Sequence, residues 1–257
     1  MDSISPERNR TITYDNLERI KTVAGPWGNS SFNYNGNGDI LSRQQGSKTY
    51  TYAYNANKTL NTVKDEKSTQ IRQYAYDGYG NISQDGRFTY TYDPAQNLHY
   101  AGGSTHLYDA NNRKIKTIAG GKETVYFYNH QGLLLGEYSQ SGAAKESIEY
   151  IYLQGKLIGS ITSRPQYTQC SAPALTYYLT DNTGSTLAAT SATGAILWKE
   201  HYSPLGERQV KSSTSGKNSQ YFHGKEQDTT TGLQYFGARW YDPMVGRFMA
   251  VDPAAVD

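Results

Sequence analysis

Residues 50–60 read YTYAYNANKTL. Tyr50, Tyr52 and Tyr54 alternate with Thr51 and Ala53, a period of two that places three rings on one face of a strand. Asn55 then starts a turn, because an Asx side chain accepts hydrogen bonds from the backbone two residues on. Leu60 opens the return strand. The same phrase runs outward in both directions, at Tyr14-Asp15, Tyr34-Asn35, Tyr76-Asp77, Tyr92-Asp93, Tyr108-Asp109 and Tyr128-Asn129. Five places after the Asp or Asn stand Ile20, Ile40, Leu60, Ile82, Leu98 and Leu134; only after Asp109 does Lys114 take that slot. The period-two alternation returns at Tyr74/Tyr76, Tyr90/Tyr92, Tyr126/Tyr128 and Tyr150/Tyr152. A recurring unit of this size marks a repeat architecture. The fold class expected is all-β: an antiparallel ribbon with little or no helix, in which consecutive units pair as neighbours and tyrosines of adjacent strands form cross-strand aromatic pairs.

Composition supports an ordered chain. Mean hydropathy is −0.74 and 36% of residues are hydrophobic, yet the sequence carries 24 tyrosines and a net charge of +2. Disordered chains are poor in aromatics and rich in net charge. The scattered Lys and Arg residues form no basic block, which argues against a nucleic-acid partner. Cys170 is the single cysteine, so no internal disulfide framework exists. No apolar run approaches the ~18 residues of a membrane span, and the polar start, MDSISPERNR, has no signal-peptide core.

Gly38, Gly80 and Gly132 stand three places after their Asx residues, where a left-handed backbone favours glycine. Asp85-Gly86 reads as a two-residue hairpin turn, and Gly102-Gly103 and Gly120-Gly121 punctuate in the same way. Residues 1–162 are read as the repeat ribbon. Residues 163–176, with two prolines and no alternation, are read as a loop or crossing segment, and 177–257 as a more individual region in which the repeat loosens. Residues 208–220 are read as a Ser/Lys-rich loop.

The Tyr-Asp phrase resembles the YD repeat of the RHS (rearrangement hotspot) proteins and their teneurin relatives. The C-terminal third carries the more specific match. YYLTDNTGSTLAATSATGAILWKEHYSPLGE (177–207), followed by FGARWYDPMVGRF (236–248), looks like the RHS repeat-associated core. The resemblance implies a strand ribbon that curves into a hollow shell, here a partial wall with the core incomplete at its C-terminal end. It implies as partners an enclosed C-terminal polymorphic toxin domain, the rest of the shell, and a secretion-spike or adaptor protein. Family members act as type VI secretion effectors or as components of insecticidal Tc toxins. They reside in the bacterial cytoplasm before export or delivery into a target cell. The residues of the core motif are Tyr235, Gly237, Arg239, Tyr241, Asp242, Pro243, Gly246, Arg247, Phe248 and Pro253.

The family's core also holds an aspartic autoprotease built from two aspartates. By resemblance Asp252, before Pro253, is the first; the second lies in a further DP-x-G that these 257 residues do not contain, and Ala254-Ala255 replace a familiar glycine. One carboxylate activates water while the other donates a proton, so the chain as it stands is expected not to act as an enzyme. The alternative for Asp252 is a turn residue before proline. Two rival functions stay open: a self-cleaving element, and a glycan or cell-surface binding module that uses the Tyr/Trp face. His99, His106, His130, His201 and His223 show no metal-ligand spacing, and no nucleophile elbow or phosphate-binding loop occurs. No cofactor and no metal are expected.

Overall fold

Each Tyr-Asx pair closes a strand with the same three-residue loop. At Asn35 the side-chain oxygen accepts the N–H groups of Asn37 and Asp39, both at 2.9 Å. The Asn35 N–H donates to the carbonyl of Asp39, and the Gly38 N–H donates back to Asn35. The chain then needs one left-handed residue to rejoin the sheet. Gly38 (φ 90°), Gly80 (88°) and Gly132 (83°) supply it at no steric cost, whereas Glu18, Lys58, Gln96 and Asn112 adopt φ between 59° and 67° in the same place. A Cβ on Gly38 would meet nothing within 4 Å, so a substitution there reports backbone strain alone. Gly38→Val is expected to destabilise the protein by about 1–3 kcal/mol, read as a lower denaturant midpoint; an unchanged midpoint would rule out the strained turn.

The computed structural model describes residues 9–25, 27–164, 173–213 and 220–252. Within each sheet, strands neighbour one another in the order of the sequence and pair antiparallel. Seven run from Thr11–Tyr14 to Gln70–Gln73, two pair at Ala75–Tyr76 and Ile82–Gln84, and twelve run from Tyr90–Tyr92 to Arg208–Ser213. A four-stranded sheet follows, made of Glu226–Gln227, Gln234–Tyr235, Trp240–Asp242 and Arg247–Phe248. The only helical turn among the described residues is Phe222–Gly224. Of the described residues, those up to Thr89 together with His201–Gln209 form one unit, and those of Tyr90–Glu200 together with those from Val210 to Asp252 form another.

Register slips by one residue beside each repeat tyrosine. Asn33 faces Ser42 while Tyr34 faces Ile40, and the same step recurs at Tyr54, Tyr76, Tyr92, Tyr108, Tyr128 and Tyr152. Such bulges increase the local twist. They also aim the phenol at the preceding unit, where its hydroxyl donates to the first residue of the earlier return strand. Tyr34 reaches Ile20, Tyr54 Ile40 and Tyr76 Leu60, each at 2.8 Å; Tyr108 reaches Leu98 at 2.7 Å, and Tyr128 Lys114 and Tyr152 Leu134 at 2.9 Å. The tyrosine thus satisfies its own buried hydroxyl and ties neighbouring units together.

The buried ring lies two residues earlier: Phe32, Tyr52, Tyr74, Tyr90, Tyr126 and Tyr150. Its directly opposed residues are not aromatic, contrary to the expected ladder. Tyr52 faces Val63, Tyr126 faces Glu137 and Tyr150 faces Ser160. The buried rings lie on the outgoing strand of each unit and face non-aromatic residues of the return strand, so they alternate with those across the sheet. The hairpin at Asp85 is also shifted by one residue. Asp85 donates its N–H to the Phe88 carbonyl, which makes Gly86-Arg87 the central pair. Asp85 is buried and accepts from the N–H groups of Arg87 and Phe88 and from the Arg87 guanidinium.

The repeat persists beyond residue 176. Asp181, Ser191 and Ser203 each donate an N–H to the carbonyl four residues on, and accept one from Gly184, Gly194 and Gly206, which have φ between 84° and 89°. The boundaries read at 162 and 177 fall within the twelve-stranded sheet, where Lys156–Ser163 pairs directly with Ala174–Thr180. Cys170 and residues 214–219 lie outside the described residues.

Candidate functional site: the seat of the C-terminal segment

The unit that breaks the repeat is the one on which the C-terminal segment sits. Lys114, at the position taken elsewhere by Ile or Leu, is 0% exposed. A lysine there cannot reach water, so its ammonium needs a partner. Glu226, on the first strand of the four-stranded sheet, supplies one: Nζ donates to its carboxylate at 2.5 Å. The ammonium also lies 4.4, 4.9 and 4.8 Å from the ring centres of Tyr126, Tyr235 and Trp240, within range of cation–π attraction. The Tyr126 hydroxyl donates to the second oxygen of Glu226 at 2.7 Å. Burial, and then the Glu226 charge, hold that phenol well above its ordinary pKa, so it stays a donor.

Tyr235 completes the enclosure. Its hydroxyl accepts the Lys114 N–H at 2.8 Å and donates to the Asn112 carbonyl at 3.4 Å. The Trp240 indole N–H donates to the Tyr108 hydroxyl at 2.9 Å. His106 occupies the slot filled by Phe or Tyr in neighbouring units, and its ring lies 4.6 Å from Trp240. His106 is 1% exposed, and its Nδ1 lies 3.0 Å from the Thr117 hydroxyl. Burial, reinforced by the Lys114 and His99 charges, lowers its pKa to about 3, so it is neutral. Further along the sheet the Tyr92 hydroxyl donates to the Met249 carbonyl at 2.9 Å.

The core-motif residues build the segment that occupies this seat. Asp242 is buried; its carboxylate accepts the Met244 N–H at 2.8 Å and its carbonyl the Gly246 N–H at 2.9 Å, which closes the turn through buried Pro243. Gly237 (φ 93°) and Gly246 (φ 68°) take left-handed positions. Asp242 and Arg247 face each other across adjacent strands. Tyr241 and Phe248 pack edge to face with Phe236, and Arg239 lies 4.0 Å over the Phe248 ring. Arg239 also binds Asp252 at 2.8 Å, leaving that carboxylate 49% exposed. Pro253 lies outside the described residues. A cleft of about 780 Å³ runs beside the seat, lined in part by Arg113, Lys156, His223 and Lys225; burial lowers the Lys225 pKa.

Two features bear on the rival functions. The repeat tyrosines from Tyr34 to Tyr152 spend their hydroxyls on backbone carbonyls, and Trp198 and Trp240 are 3% and 2% exposed, so these rings are committed to building the sheet. Among the described residues no group of three or more His, Cys, Asp or Glu side chains is placed to hold a metal, and no helix is long and apolar enough to cross a membrane. Sequence reasoning singled out Tyr235 and the surrounding motif but missed Lys114, His106, Tyr126 and Glu226 as one cluster. The available signal was the coincidence of two exceptions to the repeat, Lys114 and His106, in a single unit.

Over residues 5–257 the sequence matches the family described as Teneurin YD-shell. It is 29% identical over 217 residues to the tRNA3(Ser)-specific nuclease WapA of Bacillus spizizenii, covering 80% of this chain and 9% of that protein. It is 25% identical over 276 residues to Teneurin-3 of Mus musculus, covering 94% of this chain and 10% of that protein. The chain thus spans about a tenth of the length of these curated relatives. The solved structure of TcdB2-TccC3 without its hypervariable C-terminal region superposes with a TM-score of 0.66 at 14% identity, over 98% of this chain and 16% of that one. At that identity the likeness is one of fold.

Proposed function

Because the chain belongs to the teneurin YD-shell family, we propose that it is a section of shell wall, with the segment that caps it, in a protein that encloses and delivers a toxin domain. The mechanism is exclusion: a hydrogen-bonded antiparallel wall keeps the cargo from its surroundings until release. The observation that carries the reading is the seat. The segment from Glu226 to Asp252 is folded back and fastened to the sheet by a buried ion pair and a row of tyrosine and tryptophan hydrogen bonds. Relatives named as tRNA nucleases, and the like-folded TcdB2-TccC3, solved without a hypervariable C-terminal region, support a variable cargo beside a constant wall. On this reading the partners are the remaining shell, the cargo and the delivery machinery, and the protein acts after export from a bacterial cell.

Protease protection tests it. In the intact polypeptide that carries this wall, any domain following the segment should resist a protease that digests it once Glu226→Leu has opened the seat. Equal digestion of the two proteins would sink the container. A second reading, self-cleavage through Asp252, is favoured by one observation: Arg239 fixes that carboxylate at the end of the core motif. A polypeptide extending through a second DP-x-G should then cut itself, and Asp252→Asn should abolish the cut, because the amide cannot relay a proton. Mass spectrometry reads both. A full-rate cut in the Asp252→Asn protein would leave Asp252 a turn residue held by arginine.

A further inference from the structure

We propose that Lys114 is a positional address: it decides on which repeat the C-terminal segment docks. The assignment goes beyond the container reading and stands whether or not the shell holds cargo. Successive units are near copies. They share the turn and the bulge, and Tyr34, Tyr54, Tyr76, Tyr108, Tyr128 and Tyr152 share the hydroxyl bond to the preceding unit, while Tyr92 donates to Met249 instead. A segment that packed on apolar contacts alone would find several similar places one unit apart. Two slots differ in one unit. Among the Tyr-Asx units the return strand begins with Ile20, Ile40, Leu60, Ile82, Leu98 and Leu134, and with Lys114 here; the turns at Asp65, Asp181 and Ser203, which lack the Tyr-Asx pair, lead into Gln70, Thr186 and Arg208. The buried ring is Phe32, Tyr52, Tyr74, Tyr90, Tyr126 or Tyr150 in other units and His106 here, while the first unit has exposed Ile12 in that slot; only the His106–Lys114 unit departs in both places. Both exceptions touch Trp240 of the docked segment.

The physical argument concerns the wrong places more than the right one. A buried ion pair adds little net stability over a well-packed apolar pair, but a buried charge without its partner is heavily penalised. Docked one unit away, Glu226 would face leucine and Lys114 would be left in an apolar slot. The pair therefore discriminates by rejecting alternatives. The other unit of the chain shows the same device independently. Arg43, 1% exposed on the strand Ile40–Gln45, binds Glu207 at 2.5 Å. Among the described residues, Arg43 and Lys114 are the two buried Lys or Arg side chains. Each is met by a glutamate from the C-terminal third.

The test uses the whole chain labelled with 5-fluorotryptophan, which reports Trp27, Trp198 and Trp240 separately by fluorine NMR. The wild type should give one line for each. In Lys114→Ile/Glu226→Gln, which restores the repeat's apolar residue and removes the buried charge, the Trp240 line should split into two or more populations while those of Trp27 and Trp198 stay single. A single sharp Trp240 line, with wild-type hydrogen-exchange protection across residues 233–240, would overturn the proposal. So would a Trp240 line at the position of the unfolded chain beside unchanged Trp27 and Trp198, since the pair would then hold the segment without choosing its place. Should the double variant not fold, Lys114→Met/Glu226→Gln keeps side-chain length and reads the same outcomes.

Discussion

Glu226→Leu is expected to destabilise the protein by about 3–5 kcal/mol, the usual cost of breaking a buried pair from one side. The cause is what remains. Lys114 would keep its place with no water and no carboxylate, and must hold an uncompensated charge or give up its proton. Three rings surround the ammonium, but cation–π contacts are worth only about 0.5–2 kcal/mol and do not neutralise it. The Tyr126 hydroxyl would lose its acceptor as well. The loss should concentrate in residues 220–252, seen as lowered hydrogen-exchange protection there with the sheet around Lys48–Tyr54 unaffected. A variant as stable as the wild type by denaturant midpoint would mean that the pair is far better hydrated than its burial indicates.

Acid should loosen the same seat. His106 titrates near 6.5 in an unfolded chain and at about 3 in the folded protein. Between those values the unfolded state binds a proton that the folded state refuses, so stability falls as pH drops below about 6.5, by up to roughly 1.4 kcal/mol per pH unit. His106→Phe, which installs the ring found at Phe32 in an equivalent slot, removes this linkage. Unfolding free energies of wild type and variant, measured at pH 7.5 and pH 4.5, should therefore differ in their pH dependence by about 2–3 kcal/mol, with the variant losing less. Parallel losses in the two proteins would place the His106 ring in contact with water.

The repeat was legible because its signals are local. Alternating tyrosines, an Asx at the strand end and a glycine three places on each dictate a backbone state without help from distant residues. Gly38, Gly80 and Gly132 sit in left-handed turns for that reason. The turns at Ser191 and Ser203 escaped notice because the hydroxyl that replaces Asp or Asn leaves a weaker mark, although the hydrogen bonds are the same. The expected tyrosine ladder failed because cross-strand pairing depends on register, and the one-residue slip at every unit lies outside what alternation reveals. The seat was harder still. Lys114 stood out as an irregularity, but its meaning depends on Glu226, 112 residues away, and nothing local in the sequence joins them. The motif from Tyr235 to Phe248 was read as a unit; that its Tyr235 and Trp240 enclose a lysine of the ribbon could be seen only in space.

The separation of Lys114 from Glu226 also sets a clock. Strands of the ribbon pair with their immediate neighbours, so each can zip up soon after it leaves the ribosome. The seat cannot close until the glutamate has been made, 112 residues later. At about 5–20 residues per second, that is roughly 6–22 s of synthesis. During this interval the slot that will bury Lys114 stands open to water and the lysine is simply hydrated. The nascent sheet therefore waits with one polar notch among apolar ones, and the segment that carries Glu226 meets a template already assembled.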